Sequence, residues 1–137
     1  MRYLGIDLGT TTVGVSISDK TNMLATPLRV IKFKKECYED TLEELERIIS
    51  DNKITDIVLG LPKNMDNSLG FAAQRSINYC KLLEKFPVNI HLYDERLSTV
   101  EALNILKSTG NKRIKEKNVI DAVSANIILE SFLRGQK

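Results

Sequence analysis

The chain opens Met1-Arg-Tyr-Leu-Gly-Ile-Asp-Leu-Gly-Thr-Thr-Thr-Val-Gly-Val-Ser-Ile-Ser-Asp19, and the reading of this stretch decides the fold. Two apolar runs, residues 3–8 and 13–17, flank Gly9-Thr10-Thr11-Thr12. They predict two strands joined by a tight, glycine-containing connection. In the first run Leu4, Ile6 and Leu8 share one face by the period-two rule, leaving Tyr3, Gly5 and Asp7 on the other. A strand therefore carries a carboxylate near its C-terminal end. Such a charge is costly unless it is solvated, paired or bound to a metal, so Asp7 is either a functional acid or a hairpin-end residue reaching water.

Beyond this hairpin, Asp19-Lys20-Thr21-Asn22 has turn composition, and residues 23–31 supply a third strand, with Pro27 marking an edge or an interruption. The opening is thus an antiparallel meander. Tyr38, Leu42, Leu45 and Ile49 recur with helical spacing and predict an amphipathic helix over 36–51, its acids forming a solvated face. Residues 57–61, an almost continuous apolar run ended by Pro62, read as a buried parallel strand. A polar loop follows, in which Asp66 is a turn former. A second helix is expected over 69–86 through Ala73, Ile77, Cys80 and Leu83. The next strand, 88–93, alternates Val88, Ile90 and Leu92 with Asn89, His91 and Tyr93, and places His91 as a structural residue on the more polar face. Ser98 and Glu101 form a capping box for a third helix through Leu106, with Gly110 shortly after it. The last helix is expected over 117–133, packing through Ala122, Ala125, Leu129 and Phe132.

Composition narrows the class. The 137 residues suit one domain with a real core, and 42% hydrophobic and 28% charged residues are ordinary for a globular protein. No apolar run has the length of a membrane helix and no charged-then-apolar leader precedes the first strand, so a cytoplasmic protein is expected. Cys37 and Cys80 lie far apart and the chain has a single histidine, which argues against zinc-type sites. Any metal must use carboxylates, and oxygen-only ligands point to Mg2+ or Mn2+. A net charge of +2 does not by itself indicate a nucleic-acid partner. Clustering does more: Lys107, Lys112, Arg113, Lys115 and Lys117 meet only Glu116 among acids in their segment, although taken in isolation such a run reads first as a solvated loop.

Ligands of sheets containing parallel strands bind beyond the carboxyl ends of those strands. Asp7, Asp66 and the pair Asp94-Glu95 lie at such ends. Parity along 88–93 groups Asp94 with Leu92 and projects Glu95 with His91 and Tyr93, which favours Glu95 as the partner of Asp7. A helix carrying Asp121 over the same face adds a third carboxylate, unless Asp121 is only a first-turn acid favoured by the helix dipole. Three gathered carboxylates raise one another's pKa unless a cation holds them ionised. Two divalent ions roughly 3.5–4 Å apart can activate a water and stabilise the leaving oxygen of a phosphodiester without any histidine, serine or cysteine nucleophile.

Four segments together resemble the YqgF/RuvX family, Holliday-junction-resolvase-like nucleases of the RNase H-like fold. They are Gly5-Ile-Asp-Leu-Gly9 continuing through Val13-Gly-Val-Ser-Ile-Ser-Asp19, Gly60-Leu-Pro-Lys-Asn-Met-Asp-Asn-Ser68, Asp94-Glu-Arg-Leu-Ser-Thr99, and Lys117 through Asp121 to Ile128-Leu129. The resemblance implies an α/β fold with a mixed five-stranded sheet, three strands antiparallel and two parallel, flanked by helices. It also implies an acidic, metal-binding catalytic site at Asp7, Glu95 and Asp121. Its associated activity is processing of the 5′ end of precursor 16S ribosomal RNA in the bacterial cytoplasm, with a likeness in fold to the RuvC resolvases. Two positions depart from the family pattern: Asn67 follows the loop Asp66 where glycine is usual, and Ser124 stands where alanine is usual. Asparagine tolerates a positive φ better than most residues.

Gly5-Ile-Asp-Leu-Gly-Thr-Thr11 also resembles the phosphate-loop start of the actin, Hsp70 and sugar-kinase ATPases, which clamp nucleotide between two lobes of this kind. The chain has length for one. A DNA resolvase and a catalytically silent nucleic-acid-binding module remain alternatives to an RNA nuclease, and the oligomer expected is a monomer or weak dimer. Arg96, Lys112, Arg113, Lys115 and Lys117 are the expected phosphate contacts, positioning the nucleic acid without reading its sequence.

Overall fold

The computed structural model describes residues 1–63, 66, 68–95 and 117–135, with side chains of the last segment described from Asp121 onward. Five strands, β1 (Tyr3–Leu8), β2 (Thr12–Ser18), β3 (Ala25–Lys32), β4 (Asp56–Leu61) and β5 (Asn89–Asp94), form one sheet in the order β3-β2-β1-β4-β5. β1–β2 and β2–β3 pair antiparallel, whereas β1–β4 and β4–β5 pair parallel. The mixed α/β sheet expected from the sequence is therefore the one observed. Pro27 lies in edge strand β3, and the β2–β3 register slips there: Val15 faces Arg29 while Ser16 faces Pro27. A residue without an N–H is tolerated at such an edge bulge.

Each face of the sheet packs a separate layer. Leu4, Ile6 and Leu8 of β1 join Val13, Val15 and Ile17 of β2 and Ile57 and Leu59 of β4 in the larger core, beneath α1 (Leu42–Asn52) and α2 (Phe71–Leu83). On the opposite face α3 (Lys117–Gly135) crosses β1 to β4 and buries Ile128, Leu129 and Leu133 against Val58. Tyr3, Gly5 and Asp7 belong to this second face, as the alternation along β1 requires.

Several local expectations are corrected. The first helix starts at Leu42, not near residue 36, because Glu36 takes a left-handed φ of 68° and Tyr38–Thr41 forms a 3-10 turn. α2 buries Ala73, Ser76, Tyr79 and Leu83, so its inward stripe is rotated from the expected Ala73, Ile77, Cys80 and Leu83. The cause is Tyr79, whose hydroxyl lies 2.6 Å from Thr41 Oγ1 and whose ring fills the core. That enclosure pushes the Tyr79 phenol up to about 12. Leu92, expected to be buried with Val88 and Ile90, is 44% exposed on β5, an edge strand with a neighbour on one side only. α3 also buries Ser124 and Ile128, outside its expected stripe. The expected helix from Ser98 through Leu106, Asn67, Arg96, Lys112, Arg113 and Lys115 lie outside the described residues. Lys117 is described only as the first residue of α3.

Candidate acidic site at the carboxyl ends of the parallel strands

The site is built by close approach of α3 to the sheet. Asp7 pairs in register with Gly14 across β1–β2. A Cβ at Gly14 would run into the backbone of Asp121, so only glycine lets the first turns of α3 descend this far. Gly60 of β4 plays the same part opposite Glu95: a Cβ there would sit 2.6 Å from Glu95 Oε1 and 2.9 Å from Ile128 Cδ1. A buried hydrogen bond of 2.9 Å from Ser16 Oγ to the Ala125 carbonyl ties the next turn of α3 to β2. These contacts deliver Asp121 and Glu95 to the face that Asp7 occupies.

The three acids are not equivalent. The Asp7 and Glu95 carboxyls lie within hydrogen-bonding reach of each other. Burial pushes the Asp7 carboxyl well above the ordinary carboxylate range, and the charge of Glu95, the hydrogen bond with it and the charge of Asp121 push the same way. Glu95 is also raised, first by burial and further by the charge of Asp94, against the opposing hydrogen bond from Asp7. Both carboxyls are thus raised, and each bears on the other. Asp121 takes a different partner, accepting a short hydrogen bond from Thr12 Oγ1 at the start of β2. Asp94 ends β5 opposite Leu61. Asp66 forms a turn, its Oδ1 accepting from Ser68 N at 2.9 Å and from Ser68 Oγ at 2.5 Å.

Among the described residues, no group of three or more His, Cys, Asp or Glu side chains is gathered tightly enough to hold a metal ion. Asp7 and Glu95 form a pair, with Asp121 near enough to act on Asp7 through its charge. The donor set is nevertheless all carboxylate oxygen, the kind that hard divalent ions take. Thr12, Gly14 and Gly60 were not singled out from the sequence. A glycine inside a strand is a signal for close backbone approach, and Gly14 carried that signal.

With this geometry in view, the comparisons are decisive about kinship. The RuvX family, described as Holliday junction resolvase, matches residues 1–135. The chain belongs to that family. A protein of Leuconostoc mesenteroides named "Putative pre-16S rRNA nuclease" is 44% identical over 135 residues, spanning 97% of this chain and 94% of its own. A Geobacillus protein of the same name is 42% identical over 134 residues, spanning 97% of both. In fold, the chain resembles Thermus thermophilus RuvC solved with a Holliday junction substrate, with a TM-score of 0.64 at 15% identity over 100% of this chain and 97% of that one. Fowlpox virus resolvase bound to Holliday junction DNA gives 0.55 at 10% identity, covering 99% of each. The fold is therefore that of the RNase H-like resolvases.

Proposed function

We propose that this RuvX-family chain is a single-domain, divalent-metal-dependent nuclease of the cytoplasm that hydrolyses phosphodiester bonds. Its proposed substrate is the 5′ end of precursor 16S ribosomal RNA. The observation that carries the reading is the gathering of Asp7, Glu95 and Asp121 on one face of the sheet, brought close over Gly14 and Gly60, so that each of the other two acids bears on Asp7. A fold gains nothing by setting buried acids against one another, whereas a cation turns the same repulsion into attraction. Asp7, Glu95 and Asp121 are the residues proposed to hold Mg2+ or Mn2+. Bound there, such ions would supply Lewis-acid activation of a water and stabilisation of the leaving oxygen.

The protein's own residues prepare this chemistry. Metal binds the ionised carboxylates, and both Asp7 and Glu95 are raised above their ordinary values, so occupancy rises with pH. Thr12 holds the Asp121 carboxylate in one orientation at the lip of the site. Arg96, Lys112, Arg113, Lys115 and Lys117, in or bordering the stretch outside the described residues, are proposed to contact phosphates.

The second reading, cleavage of branched DNA, is favoured by the family description and by the resemblance to RuvC. One experiment separates the two: purified protein, with manganese or with excess chelator, is incubated with labelled precursor ribosomal RNA and with a four-way DNA junction. Cleavage of the RNA that needs manganese supports the first reading, and preferential cleavage of the junction supports the second. Undiminished cleavage in chelator would overturn the metal-dependent mechanism, and binding without cleavage of either would leave a silent module.

A further inference from the structure

The chain has eight phenylalanines and tyrosines, and seven are packed. Tyr79 and Phe86 are buried, Phe33 and Tyr38 lie against the larger core, and Tyr3, Tyr93 and Phe132 against the smaller one. Phe71 is the exception: it is 94% exposed, more than any other large apolar residue in the described part of the chain. Half-exposed Leu69 lies two residues before it.

Its position is set by topology. The last pair of β4–β5 is Leu61 with Asp94, so the chain leaving β4 departs beside Glu95. α2 connects two parallel strands and therefore runs back against them, which places its first residue, Phe71, at the carboxyl ends of the strands, the end that carries Asp7 and Glu95. Ala73, Ser76, Tyr79 and Leu83 point into the core, so Phe71, Gln74, Arg75 and Asn78 share the outward face. Arg75 stands one turn from Phe71, within reach of the same ligand. It makes no ion pair with the described residues, and the first turn of α2 holds no acid. Gln74 and Asn78 add amide donors and acceptors, joined by a 3.1 Å hydrogen bond.

We propose that Phe71 is a stacking platform for an unpaired nucleobase, with Arg75 taking the adjacent phosphate, so that single-stranded nucleic acid is held on the rim beside the acidic site. An open aromatic face with a guanidinium a turn away that, among the described residues, has no carboxylate partner is the pairing that single strands require: every base has a π-face and every nucleotide a charge. The inference rests on the nuclease reading for the identity of the partner.

The test uses a single-stranded RNA oligonucleotide carrying 2-aminopurine, added to the full chain in excess chelator so that binding is read without cleavage. Stacking on Phe71 should quench the probe. Phe71→Ala should relieve the quench and weaken binding about 5- to 150-fold, the equivalent of about 1–3 kcal/mol. Phe71→Trp should retain both. Because the ring is exposed, the melting temperature of Phe71→Ala should match the parent. Arg75→Ala should lower the slope of log K against log salt by about 0.7, whereas Phe71→Ala should leave it unchanged. An abasic oligonucleotide should bind parent and Phe71→Ala alike. Equal quenching and affinity for parent and Phe71→Ala would overturn the proposal, as would an equal loss on the abasic strand. Cleavage is scored separately: Phe71-dependent binding without manganese-dependent cleavage defeats the nuclease reading and keeps the platform, while normal cleavage with Phe71-independent binding does the reverse.

Discussion

The two ends of one sheet each hold an aspartate on the face covered by α3, and they treat it in opposite ways. At the amino end of β4, Asp56 is 3% exposed and surrounded by donors. His91 Nε2 donates to its Oδ1 at 3.0 Å, Asn89 Nδ2 donates to the same oxygen at 3.3 Å, and Thr55 Oγ1 donates to Oδ2 at 2.6 Å. Burial alone would raise this carboxyl, but the hydrogen bonds from His91, Thr55 and Asn89 outweigh it and hold Asp56 below its ordinary range. Near the carboxyl end of β1, Asp7 meets acids instead of donors, and its carboxyl is driven well up. The same residue type is thus a finished piece of structure at one end and an unmet demand for positive charge at the other. A buried acid is informative about function when its neighbours fail to satisfy it.

The largest expected effect tests that contrast directly. Asp7→Asn and Glu95→Gln keep shape but remove a charge each, and should lower single-turnover cleavage in manganese on the order of a thousand-fold, the loss of several kcal/mol of transition-state charge stabilisation. In chelator both variants should melt above the parent, because the repulsion is relieved. Parent-like cleavage by both would place the reacting centre elsewhere. Asp56→Ala should do the opposite: it removes the acceptor shared by His91, Asn89 and Thr55 and should cost about 1.5–3 kcal/mol in urea unfolding, with cleavage per folded molecule kept. A stability loss at Asp7 equal to that at Asp56 would erase the distinction between the two ends.

Acid titration sharpens the comparison through its sign. The folded-state pKa of Asp7 is raised, so the stability it contributes is complete below the ordinary carboxylate value of ~4 and is lost as pH climbs through the folded value. That of Asp56 is depressed, so its contribution is complete above ~4 and is lost as pH falls through the folded value. In chelator the melting temperature should therefore fall as pH climbs above ~4, and Asp7→Asn should flatten that decline. Asp56→Ala should flatten the acid limb instead. Calorimetric scans of the three proteins across pH would read both.

The two ends also differ in how legible they were. Asp7 announced itself because a carboxylate interrupts an otherwise apolar alternation, and the parity of residues 88–93 placed Glu95 on its face before any coordinates. Asp56 gave no such sign: it starts a strand, and its partners Asn89 and His91 lie 33 and 35 residues away. The five strands were legible as short apolar runs, whereas the mixed pairing of the sheet as a whole came from the family resemblance. The rotation of α2 was not legible, because Tyr79 and Ser76 carry polar tips on the buried side and periodicity counts them as outward. Thr12 was invisible for the same reason as Asp56, since its partner is 109 positions off.

The smallest expected effect concerns that threonine, which stands between the two kinds of acid. Asp121 has a donor, as Asp56 does, yet its charge still reaches Asp7. Thr12 is 4% exposed, so Thr12→Val preserves shape while removing a hydroxyl that donates to the Asp121 carboxylate. Supporting partners of this kind are worth about 10–100-fold in metal affinity or activity, and a single uncharged hydroxyl belongs at the low end. Manganese affinity, measured by calorimetry, should fall about tenfold, with thermal stability lowered by about 1 kcal/mol for the lost hydrogen bond. Thr12→Ser restores the hydroxyl and should recover both. If Thr12→Val keeps full affinity, the close approach of α3 over Gly14 suffices to place Asp121, and Thr12 belongs with Thr55 among the residues that merely satisfy a buried acid.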